Sequence, residues 1–212
     1  IELNLSSVEN LDPQTRSKLV LEAAGANLRA GICFLEKQCD GLRRINRKLA
    51  DAARLWRMSR IPEVGHQQLT TLQVQFQEAR EEVHAIKQTE DGTTPLFSDG
   101  QASPIRLHHP FRDDWQLLLI DRCDLGSPAM TTFFHGKIYG DDPGFHLDLE
   151  TIERAISSIR MPLATNELQT KLLCSCLSGV MQRLSNNQAS SSKQCAPIVE
   201  FPQNTTLFRL FN

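Results

Sequence analysis

From Pro13 to Ile61 the chain meets no further proline, and its apolar side chains recur in a strict seven-residue repeat. Leu21, Leu28, Leu35, Leu42, Leu49 and Trp56 form one line of the repeat, and Gly25, Ile32, Cys39, Asn46 and Ala53 form the second. An apolar period of about 3.5 residues held over this length permits little besides a long helix whose stripe must meet another helix. Asp12-Pro13 supplies a side-chain cap and a proline at the first helical position. A helix from about 13 to 60 would be roughly 70 Å long at about 1.5 Å per residue.

Ile61-Pro62-Glu63-Val64-Gly65 ends that helix, and Leu69, Leu72, Phe76, Ala79, Val83 and Ile86 begin a second, shorter pattern. A short break between two such helices predicts an antiparallel hairpin. Charge agrees, because Arg43, Arg44, Arg47, Lys48, Arg54 and Arg57 crowd the end of the first helix while Glu78, Glu81 and Glu82 lie on the second. The shorter helix leaves the N-terminal half of the longer one uncovered. The seam of Leu28, Ile32, Leu35, Leu42, Asn46, Leu49 and Trp56 is therefore the expected partner-binding surface, filled by other protein subunits in a homo- or hetero-oligomer. Asn46, polar within an apolar line, is expected to set register or partner number.

Only Phe34, Trp56 and Phe76 represent the aromatic residues before position 91, and the remainder follow it. Rings favour strands over helical arms, so the fold changes there. The expected organisation is an N-terminal extension (1–12), a helical hairpin or coiled-coil arm (13–90), a Gly-, Pro- and Ser-containing linker (91–104), and an α/β unit (105–212). The fold class is α+β: a long helical hairpin, then a small domain with a mainly antiparallel sheet and two C-terminal helices. Trp115–Ile120 reads as a strand buried on both faces, and Met130–Tyr139 as a second strand. Asp148 begins one helix that stops at Met161-Pro162, and Thr165 begins another whose apolar face is broad enough for a central packing element. Ile198–Phe201 and Leu207–Phe211 are short strand candidates at the C-terminus, expected to join a sheet edge.

The chemistry of a catalyst is hard to find. There is no nucleophile elbow, phosphate loop, dinucleotide fingerprint or zincin motif. His108-His109 reads as a structural or solvated loop pair, His135-Gly136-Lys137 as part of a strand, and Asp113-Asp114 and Asp141-Asp142 as turn acids. Cys174, Cys176 and Cys195 lack the paired spacing of a zinc site, and all six cysteines read as reduced thiols of an intracellular protein. No cofactor, metal site or catalytic residue is expected. A net charge of −2 gives no general attraction to nucleic acid or anionic membranes, and no apolar run approaches a membrane span. The first residues carry neither an initiator methionine nor a signal-peptide pattern, so the chain is expected to be a piece of a longer protein.

The heptads from Leu21 to Ile86, the strands Trp115–Ile120 and Phe133–Tyr139, and the helices beginning at Asp148 and Thr165 together resemble kinetochore and other chromosome-associated scaffold subunits. These join a coiled coil to an RWD-type α/β domain. The Tyr-Pro turn of many RWD domains is absent, with only Asp142-Pro143-Gly144 near that point. The resemblance implies obligate protein partners, no catalysis and a nuclear location. The expected function is thus a non-catalytic scaffold subunit of a multiprotein complex. The alternative is a nucleic-acid-binding module that uses Arg43, Arg44, Arg47, Lys48, Arg54 and Arg57 on the basic helix to contact phosphates.

Overall fold

A computed structural model describes residues 11–111, 114–139 and 146–193. The first helix, α1 (Pro13–Met58), begins where Asp12 Oδ1 accepts the backbone N–H groups of Gln14 and Thr15, each at 3.0 Å. A hydrogen bond from the Thr15 side chain, followed by these backbone bonds, holds the Asp12 carboxyl below its ordinary range. After the turn at 59–65 the chain reverses into α2 (His66–Lys87), and Lys48 Nζ meets Glu82 Oε1 across the hairpin at 2.7 Å. The helical hairpin read from the sequence is therefore present, and the fold class is α+β with helices dominating.

The decisive packing partner of α1 is the last helix, α4 (Leu149–Lys193), which runs antiparallel along it. Arg57 pairs with Glu153, Arg43 with Glu167, and Gln38 with Asn166, so residue numbers rise on one helix as they fall on the other. Leu28, Leu35, Leu42 and Leu49 on α1 are wholly buried. On α4, Ile152, Ile159, Asn166, Leu173 and Val180 are buried at the same seven-residue spacing. A second line on α1, Ala24, Gly31, Gln38, Ile45 and Ala52, is buried as well. Burying each large aliphatic side chain contributes about 1.5–3 kcal/mol, so this shared line dominates the core.

Between α2 and α4 lie short elements: β1 (Glu90–Asp91), β2 (Thr94–Pro95), β3 (Phe97–Ser98), β4 (Ile105–Phe111), β5 (Asp114–Ile120), β6 (Cys123–Asp124) and α3 (Pro128–His135). Among the described residues the strands make three two-stranded pairings instead of one sheet: β1–β2 and β4–β5 antiparallel, β3–β6 parallel. In the β4–β5 hairpin Leu107 opposes Leu118 and Ile105 opposes Ile120, and this face packs on α1. Leu117 and Leu119 alternate outward and are each 47% exposed, so β5 is buried on one face and not on both. The stretch expected to be a linker packs closely, with Leu96 and Phe97 in the core.

Three further expectations change. Met130–Tyr139 is mostly the helix α3, because Ser127 Oγ caps Met130 N–H and Pro128 occupies the first turn. Phe133 then packs edge-on against Phe76, ring centres 5.6 Å apart. Pro162 does not end a helix but sits inside α4. An interior proline costs about 3 kcal/mol, which the apolar contacts on either side outweigh. His108 and His109 lie on strand β4, not in a loop. The C-terminal strand candidates at 198–201 and 207–211 lie outside the described residues, as do Asp113, Asp141 and Asp142.

Two glycines of α1 are contact points. A β-carbon on Gly31 would collide with a methyl of Leu107 and crowd Leu173 at 3.2 Å, and one on Gly41 would stand 2.6 Å from Phe97 Cζ. At Gly25 the nearest atom would be Val180 Cγ1 at an ordinary 3.7 Å. Gly25→Ala is expected to stabilise the chain by about 0.5–1 kcal/mol through helix propensity. Gly31→Ala and Gly41→Ala should each destabilise it by about 1–3 kcal/mol through overpacking. Urea unfolding of the three variants checks the contrast; equal gains at all three positions would contradict this packing.

Candidate functional site

The long helices place every residue of the expected seam. Leu28, Leu35, Leu42 and Leu49 are buried, while Ile32, Asn46 and Trp56 are half-buried. What fills the seam is the chain's own α4 and α2, so these residues form a core and not an open surface awaiting another subunit. Pro162 interrupts the apolar pattern of α4 in sequence, which conceals a helix long enough to cover this seam. Trp56 closes the end of the pair, its indole N–H donating to the Leu147 carbonyl at 2.7 Å.

Polar specificity in the interface comes from a residue with no apolar signal. Gln38, fully buried, accepts a hydrogen bond from Asn166 Nδ2 on α4 and donates through Nε2 to the carbonyl of Leu96, both at 2.5 Å. This chain of bonds ties α1, α4 and the 96–97 strap at one level. Any slide of α4 by one turn would strand buried donors and acceptors, each costing about 1–3 kcal/mol. The register role expected of Asn46 is thus supplied by Gln38 and Asn166.

The basic residues do not form one continuous patch. Arg43 reaches Glu167 at 2.7 Å, Arg57 reaches Glu153 at 3.0 Å, and Lys48 reaches Glu82. Arg43 is held firmly charged, chiefly by its hydrogen bond to Glu167. Arg54 lies 3.9 Å from Asp51, and Arg44 and Arg47 are exposed. Internal carboxylates therefore pair with four of the six cations that the sequence groups together.

An open depression beside α2 and α3 is lined by Arg80, His84, Lys87, Asp99 and His135. Its charges are already engaged: Lys87 pairs with Asp99 and lies 5.0 Å from the centre of the Phe134 ring, and Arg80 donates to the Gly136 carbonyl at 3.0 Å. Nearby, Gln73 Oε1 accepts the N–H groups of Ile138 and Tyr139 at 2.9 and 3.0 Å. These contacts brace the loop after α3. No group of three or more His, Cys, Asp or Glu side chains converges on a metal-sized site among the described residues. No described helix is long and apolar enough to cross a membrane.

The surface feature that sequence reasoning misassigned is on α4. Leu168 and Leu172, on the broad apolar face of the helix expected from Thr165, are 66% and 51% exposed, and Met161 is 72% exposed. They lie on the side of α4 turned away from Ile159, Asn166 and Leu173, so this helix is apolar on two separate faces. One broad apolar stripe in sequence was in fact two narrower ones.

The fold is mixed α+β with helices dominating: an antiparallel pair of long helices joined through a shorter helix and a β-hairpin. No protein-family model and no curated protein matches the chain. Among solved structures it is similar to the crystal structure of a Bacillus cereus flagellin, with a TM-score of 0.51 and 14% identity over 81% of this chain and 95% of that one. That likeness is one of fold.

The interface makes two checks available. Gln38→Ala and Asn166→Ala should each destabilise the chain by about 1–3 kcal/mol. Their double variant should show a coupling of about 0.5–3 kcal/mol, and strict additivity in denaturant unfolding would dissolve the pair. Cys33 and Cys174 are exposed, whereas Cys39 and Cys123 are buried. Burial pushes the Cys123 thiol up to about 12, leaving almost no thiolate at neutral pH. Native alkylation should therefore label Cys33 and Cys174 fast and Cys123 only after unfolding, as peptide mass spectrometry would show.

Proposed function

We propose that this chain is a non-catalytic structural subunit that builds an assembly from copies of itself. The observation that carries the reading is the second apolar face of α4, Met161, Leu168 and Leu172, left in water on a helix whose other face is already packed. A lone exposed leucine needs no explanation, but a line of large apolar residues along a rigid helix marks an interaction surface. The flagellin-like fold supports a structural role of the same kind. The charges of α1 point the same way, since Arg43, Lys48 and Arg57 are engaged by carboxylates of the same chain.

Nucleic acid is the weaker partner on this reading. With Arg43, Lys48 and Arg57 neutralised by carboxylates of the same chain, no unbroken basic track is offered to a phosphate backbone. Scaffold function therefore rests on protein contacts made by α4 and not on the seam of α1.

Sedimentation velocity from micromolar to millimolar protein, with negative-stain electron microscopy of the concentrated sample, tests the proposal. Concentration-dependent oligomers or extended particles are expected. A strictly monomeric species at every concentration would overturn self-assembly, and tight, salt-steep binding to arbitrary duplex DNA would favour the nucleic-acid reading instead.

A further inference from the structure

The outer face of α4 follows a coiled-coil seam. Met161, Thr165, Leu168, Leu172, Ser175 and Gly179 are spaced by alternating steps of four and three, and all six are exposed. The seam is also symmetric in position and self-complementary in size about position 170. Leu168 and Leu172 stand equally far from that centre, as do the small hydroxyl residues Thr165 and Ser175, and as do the largest and smallest members, Met161 and Gly179. An antiparallel helix pair sets such equidistant positions opposite one another, layer by layer.

Gly179 adds an independent observation. It lies in the helix interior with no unusual backbone angle, and a β-carbon there would meet nothing within 4 Å. Glycine in an exposed helix interior costs helix stability, so the isolated chain gains nothing from it. A bulky residue from outside, seated on that bare stretch of backbone, gives the glycine a purpose.

We infer that a second copy of this chain packs antiparallel along the outer face of α4, about a twofold axis that passes between Leu168 and Leu172, with Met161 of each copy seated on the partner's Gly179. Leucines form the two central layers and hydroxyl residues the next. This is the self-complementary contact that a twofold dimer requires. Chemistry of the flanks suits it: Pro162, Ala164, Gln169, Cys176 and Ser178 border the seam without charge, and Glu167 is held by Arg43. Lys171 is the charged residue nearest the axis, and the two copies of it face each other there. Such like charges weaken the pair in dilute salt, so added salt should strengthen it. The contact spans about 27 Å of helix and falls at the small end of specific interfaces, near or below roughly 1,200 Å². It is a weak joint that gains persistence by repetition in an assembly.

The inference rests on the self-assembly reading, and the test separates the two. Sedimentation velocity compares the parent with Gly179→Lys and Lys171→Gln. Gly179→Lys should weaken association by more than about tenfold, because a charge and a long side chain enter the apolar contact. Its circular dichroism and melting temperature should match or exceed the parent's. Lys171→Gln should tighten association and remove the gain with salt. For geometry, Cys33, Cys174, Cys176 and Cys195 are first replaced by serine. In that background Thr165→Cys with Ser175→Cys should give a disulfide-linked dimer on oxidation. Thr165→Cys alone should not, since its two copies would lie about 15 Å apart along the axis. A parent that associates while Gly179→Lys associates equally well would overturn this face and leave self-assembly standing. Cross-linking of Thr165→Cys alone would overturn the antiparallel arrangement, and a parent that never associates would overturn both proposals.

Discussion

Everything in this molecule depends on the antiparallel contact between α1 and α4. Two helices of 46 and 45 residues meet along lines that repeat every seven residues, so the contact can be long and continuous only if both lines stay in phase. Leu28, Leu35, Leu42 and Leu49 provide the apolar mass on one side, and Ile152, Ile159, Leu173 and Val180 on the other. Because such a repeat is nearly periodic, apolar packing alone would tolerate a shift by a turn or a heptad. The buried bonds from Asn166 to Gln38 and on to the Leu96 carbonyl remove that freedom. Burying polar groups is costly in itself, and the cost is met only in one register.

That register decides what the rest of the chain can do. At the level of Gly31 the missing side chain lets Leu107 and Ile120 of the β4–β5 hairpin sit against α1 beside Leu173. At the level of Gly41, Phe97 fills the corresponding space on the side of α2. Both glycines thus mark where a third element joins two helices. The hairpin would otherwise be a marginal two-stranded unit; here it is held by its inward face while Leu117 and Leu119 remain in water. The apolar line of α1 is thus occupied by its own chain, while the outside of α4 keeps Met161, Leu168 and Leu172 in water.

How much of this was legible in the sequence varied with the kind of signal. The repeat from Leu21 to Trp56, the Asp12-Pro13 start and the break before Gly65 are local, and the helical hairpin follows them closely. Pro162 misled, because local propensity ends a helix there while long-range packing carries α4 through it. Met130–Tyr139 misled for the opposite reason: aromatic and β-branched content suggested a strand, but the cap at Ser127 and burial of Phe133 against Phe76 select a helix. Ala24, Gly31, Gln38 and Ala52, small or polar, give only a faint apolar signature, although with Ile45 they form a buried line as continuous as the leucine line.

The sequence by itself determined the helices of the arm, their caps and the apolar line of α1, because helix start, stop and period are set by neighbours a few residues away. Tertiary structure alone decided which element fills that line, which of the two apolar faces of α4 is buried, and that Gln38 meets Asn166 across 128 positions of chain. Those outcomes turn on which surfaces exclude water together, and no local pattern encodes that. A seven-residue apolar repeat states that a helix needs a partner; only the closed core shows that the partner is the chain's own last helix.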